Sequence, residues 1–256
     1  MPLINPSPAA LEWTEEGDPL STRFGDVYYS RENGLAEARH VFLNGNSLPE
    51  RLAALPPEGK PFTVGETGFG TGLNFLALWQ LFARQAPVGA VLDYHSYELY
   101  PLTGEEIAKA LARFPELVPL LPDYLPAWER LLQGSGTEHF TRKDAAGKPV
   151  QHIRLTVYFG DAVEGMATQV ARKEMPVMDA WFLDGFNPAC NPELWNDRLY
   201  ASLAELSGKG TSFATFTAAG HVRRGLQAAG FQVNRQPGYG RKREMLAGWF
   251  EGKSSE

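Results

Sequence analysis

Apolar and polar positions along the chain alternate between two periods. Phe62-Thr-Val64 is a short β-prone run, and Leu73, Phe75, Leu76, Leu78, Trp79 and Phe82 then recur at helical spacing with one broad apolar face. Val88 to Leu99 predicts a second strand, Ile153 to Phe159 a third, Val177 to Leu183 a fourth and Thr211 to Thr217 a fifth, with helical stretches between them. Phe231 to Gln236 and Met245 to Phe250 predict a closing antiparallel pair. Strands alternating with helices predict an α/β protein, with a mostly parallel, doubly wound sheet. Pro-broken but apolar residues at 114–135 predict a helical insertion, and Ala145-Ala-Gly147 a hairpin turn.

Punctuation refines this picture. Residues 1–60 precede the first core strand and form an N-terminal extension. The stretch 11–31 predicts a small hairpin or lid, because Gly25-Asp26 marks a turn between β-prone pieces. Leu35, Ala38 and Phe42 predict a helix that Asn44-Gly45-Asn46 ends through a left-handed residue. Pro49 starts a further short helix. Thr103 with Glu106 predicts a capping box for a helix through Ala112. The core domain spans 61–250, and the tail 251–256 is expected to be disordered.

Composition narrows the class. The chain has 256 residues and 43% hydrophobic content, enough for one large domain. Cys190 is the only cysteine, which excludes an internal disulfide and a Cys-based zinc site, and the five histidines do not pair at ligand spacing. No metal is expected. Met1 to Ala10 lacks the pattern of a signal peptide, and no run approaches the roughly 18 apolar residues of a membrane span. A soluble, cytoplasmic, monomeric protein without membrane contact is the expectation. The net charge of −6 argues against a generic nucleic-acid binder. Yet His221 to Arg243 holds Arg223, Arg224, Arg235, Arg241, Lys242 and Arg243 and no acid, a candidate anion-binding face.

The chemistry concentrates where strands end. Gly68, Gly70 and Gly72 alternate after the first core strand, allowing a sharp turn and close approach of a ligand to backbone. The third glycine of a dinucleotide fingerprint is replaced by Leu73, which counts against a nicotinamide enzyme. The pattern Glu66-x-Gly68-x-Gly70-x-Gly72 instead resembles the first motif of class I S-adenosylmethionine (SAM)-dependent methyltransferases, of Rossmann-like fold. On that resemblance Glu66 lies near the ammonium and sulfonium of SAM, directly or through water, or merely braces the glycine turn. Asn74 belongs to the same cofactor-binding group. Glu98, closing the second strand, is placed to accept from ribose hydroxyls. Asp161 is placed to bond the adenine amine, to cap the helix after it, or both. Asp184-Gly-Phe186-Asn-Pro188 ends the fourth strand and resembles in kind the polar–proline–aromatic stretch of amine methyltransferases. Asp184 is the candidate acceptor of an amine N–H and a cofactor contact, and Phe186 the candidate base-stacking ring. Their bland alternatives are a cap for a helix entered at Pro192 and a core aromatic.

Five blocks carry a closer resemblance: Ser21 to Ser30, Ala38 to Asn46, Gly65 to Phe75, Ala180 to Pro188 and Gly238 to Met245. In this order they resemble the methyltransferase half of the bifunctional MnmC family, as a stand-alone MnmD-like chain. The resemblance covers nearly all of residues 10–250. It implies N-methylation of 5-aminomethyl-(2-thio)uridine at the tRNA wobble position, without the FAD oxidase activity, with SAM as cofactor. The anticodon loop is the implied partner, with Arg223, Arg224, Arg241, Lys242 and Arg243 on the tRNA, and a separate FAD-dependent oxidase or the enzymes supplying the amine alongside. Cys190 stands where the family often carries a basic residue, which implies a lost phosphate contact. The blocks of the extension also imply that Arg23, Tyr28, Arg39 and Asn46 face the pocket. The rivals are methylation of another small-molecule or protein amine and a SAM-binding module without catalysis.

Overall fold

The computed structural model describes residues 7–29, 33–134 and 136–252. The extension opens with strands β1 (Leu11–Trp13), β2 (Pro19–Ser21) and β3 (Asp26–Val27), which pair antiparallel in a sheet of their own. The expected hairpin is thus a three-stranded meander. Ser30 and the first residues of the chain lie outside the described residues, as do the last four of the predicted disordered tail.

Helix α1 (Gly34–Ala38) is capped by the Asn33 side chain and runs on as a π turn, Arg39–Asn44, before α2 (Leu48–Ala53). The left-handed residue expected within Asn44-Gly45-Asn46 is instead Ser47, at φ 52°, while Gly45 stays right-handed. The π turn carries the helical path past Asn44, so the reversal falls one residue after the Asn-Gly-Asn stretch.

The body follows as β4 (Phe62–Glu66), α3 (Leu73–Gln85), β5 (Val91–Glu98), α4 (Gly104–Leu111), α5 (Leu121–Leu132), β6 (Thr137–Lys143), β7 (Pro149–Phe159), α6 (Ala162–Arg172), β8 (Met178–Phe182), α7 (Asp197–Glu205), β9 (Ser207–Thr215), α8 (Gly220–Ala228), β10 (Phe231–Pro237) and β11 (Glu244–Phe250). The capping box at Thr103 and Glu106 forms with both of its hydrogen bonds. The second strand begins later than its apolar pattern suggests, because Gly89 (φ +90°) turns the chain and leaves Val88 exposed. The insertion is a 3-10 turn at Val118–Leu120 followed by α5, with Pro126 inside the helix.

The large sheet has eight strands in the order β10-β11-β9-β8-β4-β5-β7-β6. β9, β8, β4, β5 and β7 run parallel, β6 and β11 add antiparallel, and β11 inserts between β9 and β10. The order starts at β4, proceeds outward to β5 and β7, then reverses to β8 and β9. The switch point therefore lies between β4 and β8, where a doubly wound sheet opens its ligand crevice at the carboxyl ends of the strands.

Both faces of this sheet are covered. Ala180, Phe182, Ala214 and Ala247 join one core, with α3, α5 and the extension, while Trp181, Leu183, Phe213 and Leu246 join a second, with residues of α6, α7 and α8. Adjacent residues of a strand point to opposite faces, so a sheet buried on both sides reads as a continuous apolar run. The broad apolar face expected of α3 understates its burial: Leu73 to Trp79 are all buried.

Candidate active site

The turn after β4 brings strand ends together through backbone. Thr67 N donates to Phe182 O at 3.2 Å, and the Thr67 hydroxyl donates to Asp184 O, so the ends of β4 and β8 are tied. At Gly68 a Cβ would lie 3.2 Å from Asp184 O, closer than a side chain tolerates comfortably. Gly70 donates its N–H to Glu98 Oε2 at 2.7 Å, linking the turn to the end of β5. Gly72 is left-handed at φ +75°, and a Cβ there would overlap the Tyr124 hydroxyl. The alternating glycines thus answer different demands: close passage of neighbouring groups and a reversal into α3.

Beside this turn lies a cavity of about 690 Å³, lined by the glycine loop, the ends of β5 and β8, the extension and the β10–β11 loop. Glu66 is absent from its lining. Its side chain is fully buried, accepting from Asn74 Nδ2 at 2.9 Å and from Ser96 Oγ at 2.7 Å. Burial, with the charge of Asp184 nearby, pushes its carboxyl well above the usual carboxylate range. Of the roles expected for Glu66, this geometry favours bracing of the glycine turn over direct contact with a cationic ligand. The acid that does line the cavity is Asp184.

Asn74 couples the two acids. Its Nδ2 also donates to Asp184 Oδ2 at 2.6 Å, while Gly185 N donates to Asp184 Oδ1 at 2.8 Å. Burial pushes the Asp184 carboxyl up to about 6; its two hydrogen bonds pull it down, Glu37 raises it and Lys242 lowers it. A group titrating there is ionised at neutral pH yet close enough to accept a proton, the range suited to general base work. No helix begins at Pro192: α7 starts at Asp197 and is capped by Asn196, which accepts from Arg198 N at 2.9 Å and Leu199 N at 3.1 Å. Asp184 therefore caps nothing.

Glu98 lines the cavity with both oxygens anchored, one by Gly70 N and the other by Tyr100 N at 2.7 Å. Burial raises its carboxyl above the ordinary value. Each oxygen keeps a second lone pair for a hydroxyl donor. Asp161 accepts from Glu164 N at 2.9 Å as the cap of α6, and it also lines the cavity. Acidic side chains dominate the lining, with Arg23 and Lys242 its basic members. A cavity with a bare glycine wall and this acid excess fits a cationic nucleoside ligand such as SAM better than a pyrophosphate.

Phe186 is no core residue. Its ring stacks on Phe24 of the extension at 4.4 Å and 22°, and Tyr28 meets it edge-on at 5.3 Å. Asn187 N donates to Asp26 Oδ2 at 3.0 Å, tying the Asp184 loop to β3. Arg23 stands 4.4 Å over the Tyr100 ring, and both line the cavity with Tyr28. Arg39 and Asn46, expected there too, point elsewhere. Arg39 pairs with Glu116 and donates to Gln80 Oε1 at 2.6 Å. Asn46 donates to Phe42 O at 2.9 Å and Trp181 O at 3.2 Å, and accepts from Ser212 Oγ at 2.6 Å, fastening the extension to β8 and β9.

The basic segment divides. Arg224, Arg241 and Arg243 are exposed and Arg223 is half-buried. Lys242 is exposed as well, but its ammonium reaches the cavity wall, 2.8 Å from Glu37 Oε1 and 4.6 Å from the centre of the Phe216 ring. Phe24 and Glu37 are the residues sequence reasoning missed. Phe24 lay inside a resembling block, but nothing local marks Glu37, a lone acid on a short apolar helix.

Comparison with known proteins agrees with this arrangement. Residues 128–251 match the model of a family described as S-adenosyl-L-methionine-dependent methyltransferase. The tRNA 5-methylaminomethyl-2-thiouridine biosynthesis bifunctional protein MnmC of Pseudomonas aeruginosa is 49% identical over 251 residues, 95% of this chain and 35% of that protein. The protein of the same name from Chromobacterium violaceum is 48% identical over 250 residues, 95% of this chain and 34% of that one. The chain thus spans about a third of the length of these relatives. The crystal structure of MnmC2 from Aquifex aeolicus superposes with a TM-score of 0.66 at 20% identity, covering 98% of this chain and 73% of that one, a likeness of fold.

Proposed function

We propose that this chain is an S-adenosyl-L-methionine-dependent methyltransferase that methylates the amine of 5-aminomethyl-(2-thio)uridine at the tRNA wobble position, a reading supported by the family match over residues 128–251 and by the relation of 95% of the chain to MnmC. The observation that carries this reading is Asp184. It is a cavity-facing carboxylate at the β4–β8 switch point, two residues from an aromatic ring on the same loop.

SAM supplies, when bound, a methyl group on a positively charged sulfur. The glycine turn 68–72, Asn74, Glu98 and Asp161 are the groups suited to hold it, with Asp184 toward its cationic end. An alkylamine titrates near ~10.4 and arrives as an ammonium whose lone pair is blocked. Asp184 accepts its N–H, takes the proton and leaves the nitrogen lone pair free and aimed. Little new charge develops, so positioning is the main contribution, and good alignment alone reaches effective molarities of about 10⁵ M or more. Phe186 offers its face to the uracil ring, as aromatic side chains do for unstacked bases. The base must leave the anticodon stack for its substituent to enter a cavity. Arg241 and Arg243 at the β10–β11 turn are placed for backbone phosphates. An amine-forming reaction supplies the substrate.

The test is methyl transfer from labelled SAM to tRNA from cells lacking the final methylation, with nucleoside analysis. Label in 5-methylaminomethyl uridines is the expected result. Transfer to free amines but none to tRNA would redirect the reading to a small-molecule amine.

A further inference from the structure

Gly68, Gly70 and Thr71 of the turn after β4 line the cavity, so the wall offered to a ligand there is mostly bare backbone. Glycine leaves a chain more conformational freedom than any other residue. A turn built around three glycines therefore needs its shape imposed from outside. Helix α5, in the Pro-broken insertion between β5 and β6, packs against this turn, and no described residue of α5 lines the cavity.

Two side chains of α5 make the contact. Tyr124, fully buried, donates its hydroxyl to Thr71 O at 3.0 Å. Burial pushes that hydroxyl well above its ordinary range, so it remains a donor. The carbonyl and amide of a trans peptide point to opposite sides. Gly72 N, at the other end of the same peptide, donates to Phe69 O at 2.9 Å. Both polar ends of the Thr71–Gly72 unit are thus taken within the protein, and rotating it breaks both bonds. One helical turn further along α5, the Trp128 ring stacks on Phe69 at 5.1 Å and 15°. Phe69 N in turn donates to Tyr97 O at 2.9 Å, near the end of β5. Side chains one turn apart lie on one helix face, so a single face of α5 holds both a carbonyl and a ring of the turn.

We propose that Tyr124 is a positioning residue for the cofactor, its hydroxyl holding the 68–72 turn in the shape that receives SAM, with Trp128 as a second prop. That role rests on the SAM-dependent reading above. A site that is competent only part of the time binds with an affinity reduced by that fraction. Without the hydroxyl, the carbonyl of the buried Thr71 has lost its donor, which favours other arrangements of the turn. The insertion thereby belongs to the cofactor site although it stands outside the cavity.

The test is Tyr124→Phe in the whole protein, which removes the hydroxyl and keeps the ring. SAM binding, measured by calorimetry, is expected to weaken about 5- to 10-fold. At saturating SAM, kcat and the KM for tRNA should stay close to the wild-type values. Without any ligand, the Gly70 and Gly72 amides should exchange faster by NMR in the variant, while those of β4 and β5 keep their wild-type rates. Trp128→Phe is expected to weaken SAM binding in the same direction by about 2- to 3-fold, and it carries the test if Tyr124→Phe folds poorly. A hydroxyl that only stabilises the fold predicts a lower Tm with the SAM dissociation constant unmoved, and that result overturns the proposal. Wild-type protein that binds SAM yet methylates no tRNA would remove the substrate reading alone, and the SAM comparison would still decide the role of Tyr124. Wild-type protein that binds no SAM would overturn both.

Discussion

One amide group of Asn74 donates to two carboxylates, Glu66 Oε1 at 2.9 Å and Asp184 Oδ2 at 2.6 Å. The side chain on the first turn of α3 thus fixes a fully buried acid on one side and a cavity-facing acid on the other. The two acids differ in what they can do. Glu66 is shut away from the cavity, and burial pushes its carboxyl well above the usual range, whereas Asp184 faces the cavity and burial pushes its carboxyl up to about 6.

Asp184→Asn is expected to lower kcat by about 100-fold or more, the usual contribution of a positioned general base. SAM affinity, measured by calorimetry, should change by only a few-fold. Unchanged turnover would remove Asp184 from the chemistry. In the wild type, kcat/KM should rise with pH through about 6, where the Asp184 carboxyl loses its proton.

The same group predicts a stability effect of opposite benefit. Its folded pKa of about 6 lies above the ordinary aspartate value of about 3.9, so the folded protein binds this proton more tightly than the unfolded chain. The associated stability is full below about pH 4 and is lost as pH rises through 6. Asp184→Asn should therefore be more stable than wild type at pH 8 by about 1–2 kcal/mol. That figure is below the full linkage value because the carboxylate faces the cavity and the asparagine amide meets the Asn74 donor. The gain should vanish by about pH 4, as checked by urea denaturation at both pH values.

Glu66→Gln separates bracing from direct ligation. A bracing acid that is absent from the cavity lining predicts a SAM dissociation constant within a few-fold of wild type. Glu66→Ala instead strands Asn74 and Ser96 donors and opens a cavity, which should lower stability by about 2–4 kcal/mol. A large affinity loss in Glu66→Gln with stability intact would restore the ligand role.

Phe24 covers one face of Phe186, with ring centroids 4.4 Å apart, so a base stacking on that face must displace it. Phe186→Ala is expected to raise KM for tRNA about 10-fold, in line with base–aromatic stacking of about 1–3 kcal/mol. Phe24→Ala should bind the substrate nucleoside at least as tightly as wild type, by titration calorimetry. Equal weakening in both variants would make the two rings a fixed platform.

Arg241→Ala with Arg243→Ala should weaken tRNA binding and flatten its salt dependence by about one to two units of slope. Lys242 is left out of this pair because it is already paired with Glu37. An unaltered slope would place the RNA on another face.

Much of this protein is determined locally. The two-residue alternation of Ala180-Trp181-Phe182 and the 3.6-residue period of α3 specify their elements because burial acts on each face separately. Thr103 with Glu106 writes a helix start in four residues, and acids at strand ends mark the crevice because a parallel sheet opens there. Only tertiary structure decided what those acids face. Glu66 turns away from the cavity because Asn74 and Ser96 enclose it, and Asp184 turns toward it because its loop is tied to β3 through Asn187 and Asp26. Lys242 reads as one member of a basic run, but a partner 205 residues away holds its ammonium at the cavity wall. The insertion of β11 between β9 and β10 is equally silent in the sequence, since either order buries the same apolar residues. Local pattern fixes which side of an element is apolar; the pairing of polar groups distant in the chain is settled only when the packed elements bring them within hydrogen-bond reach.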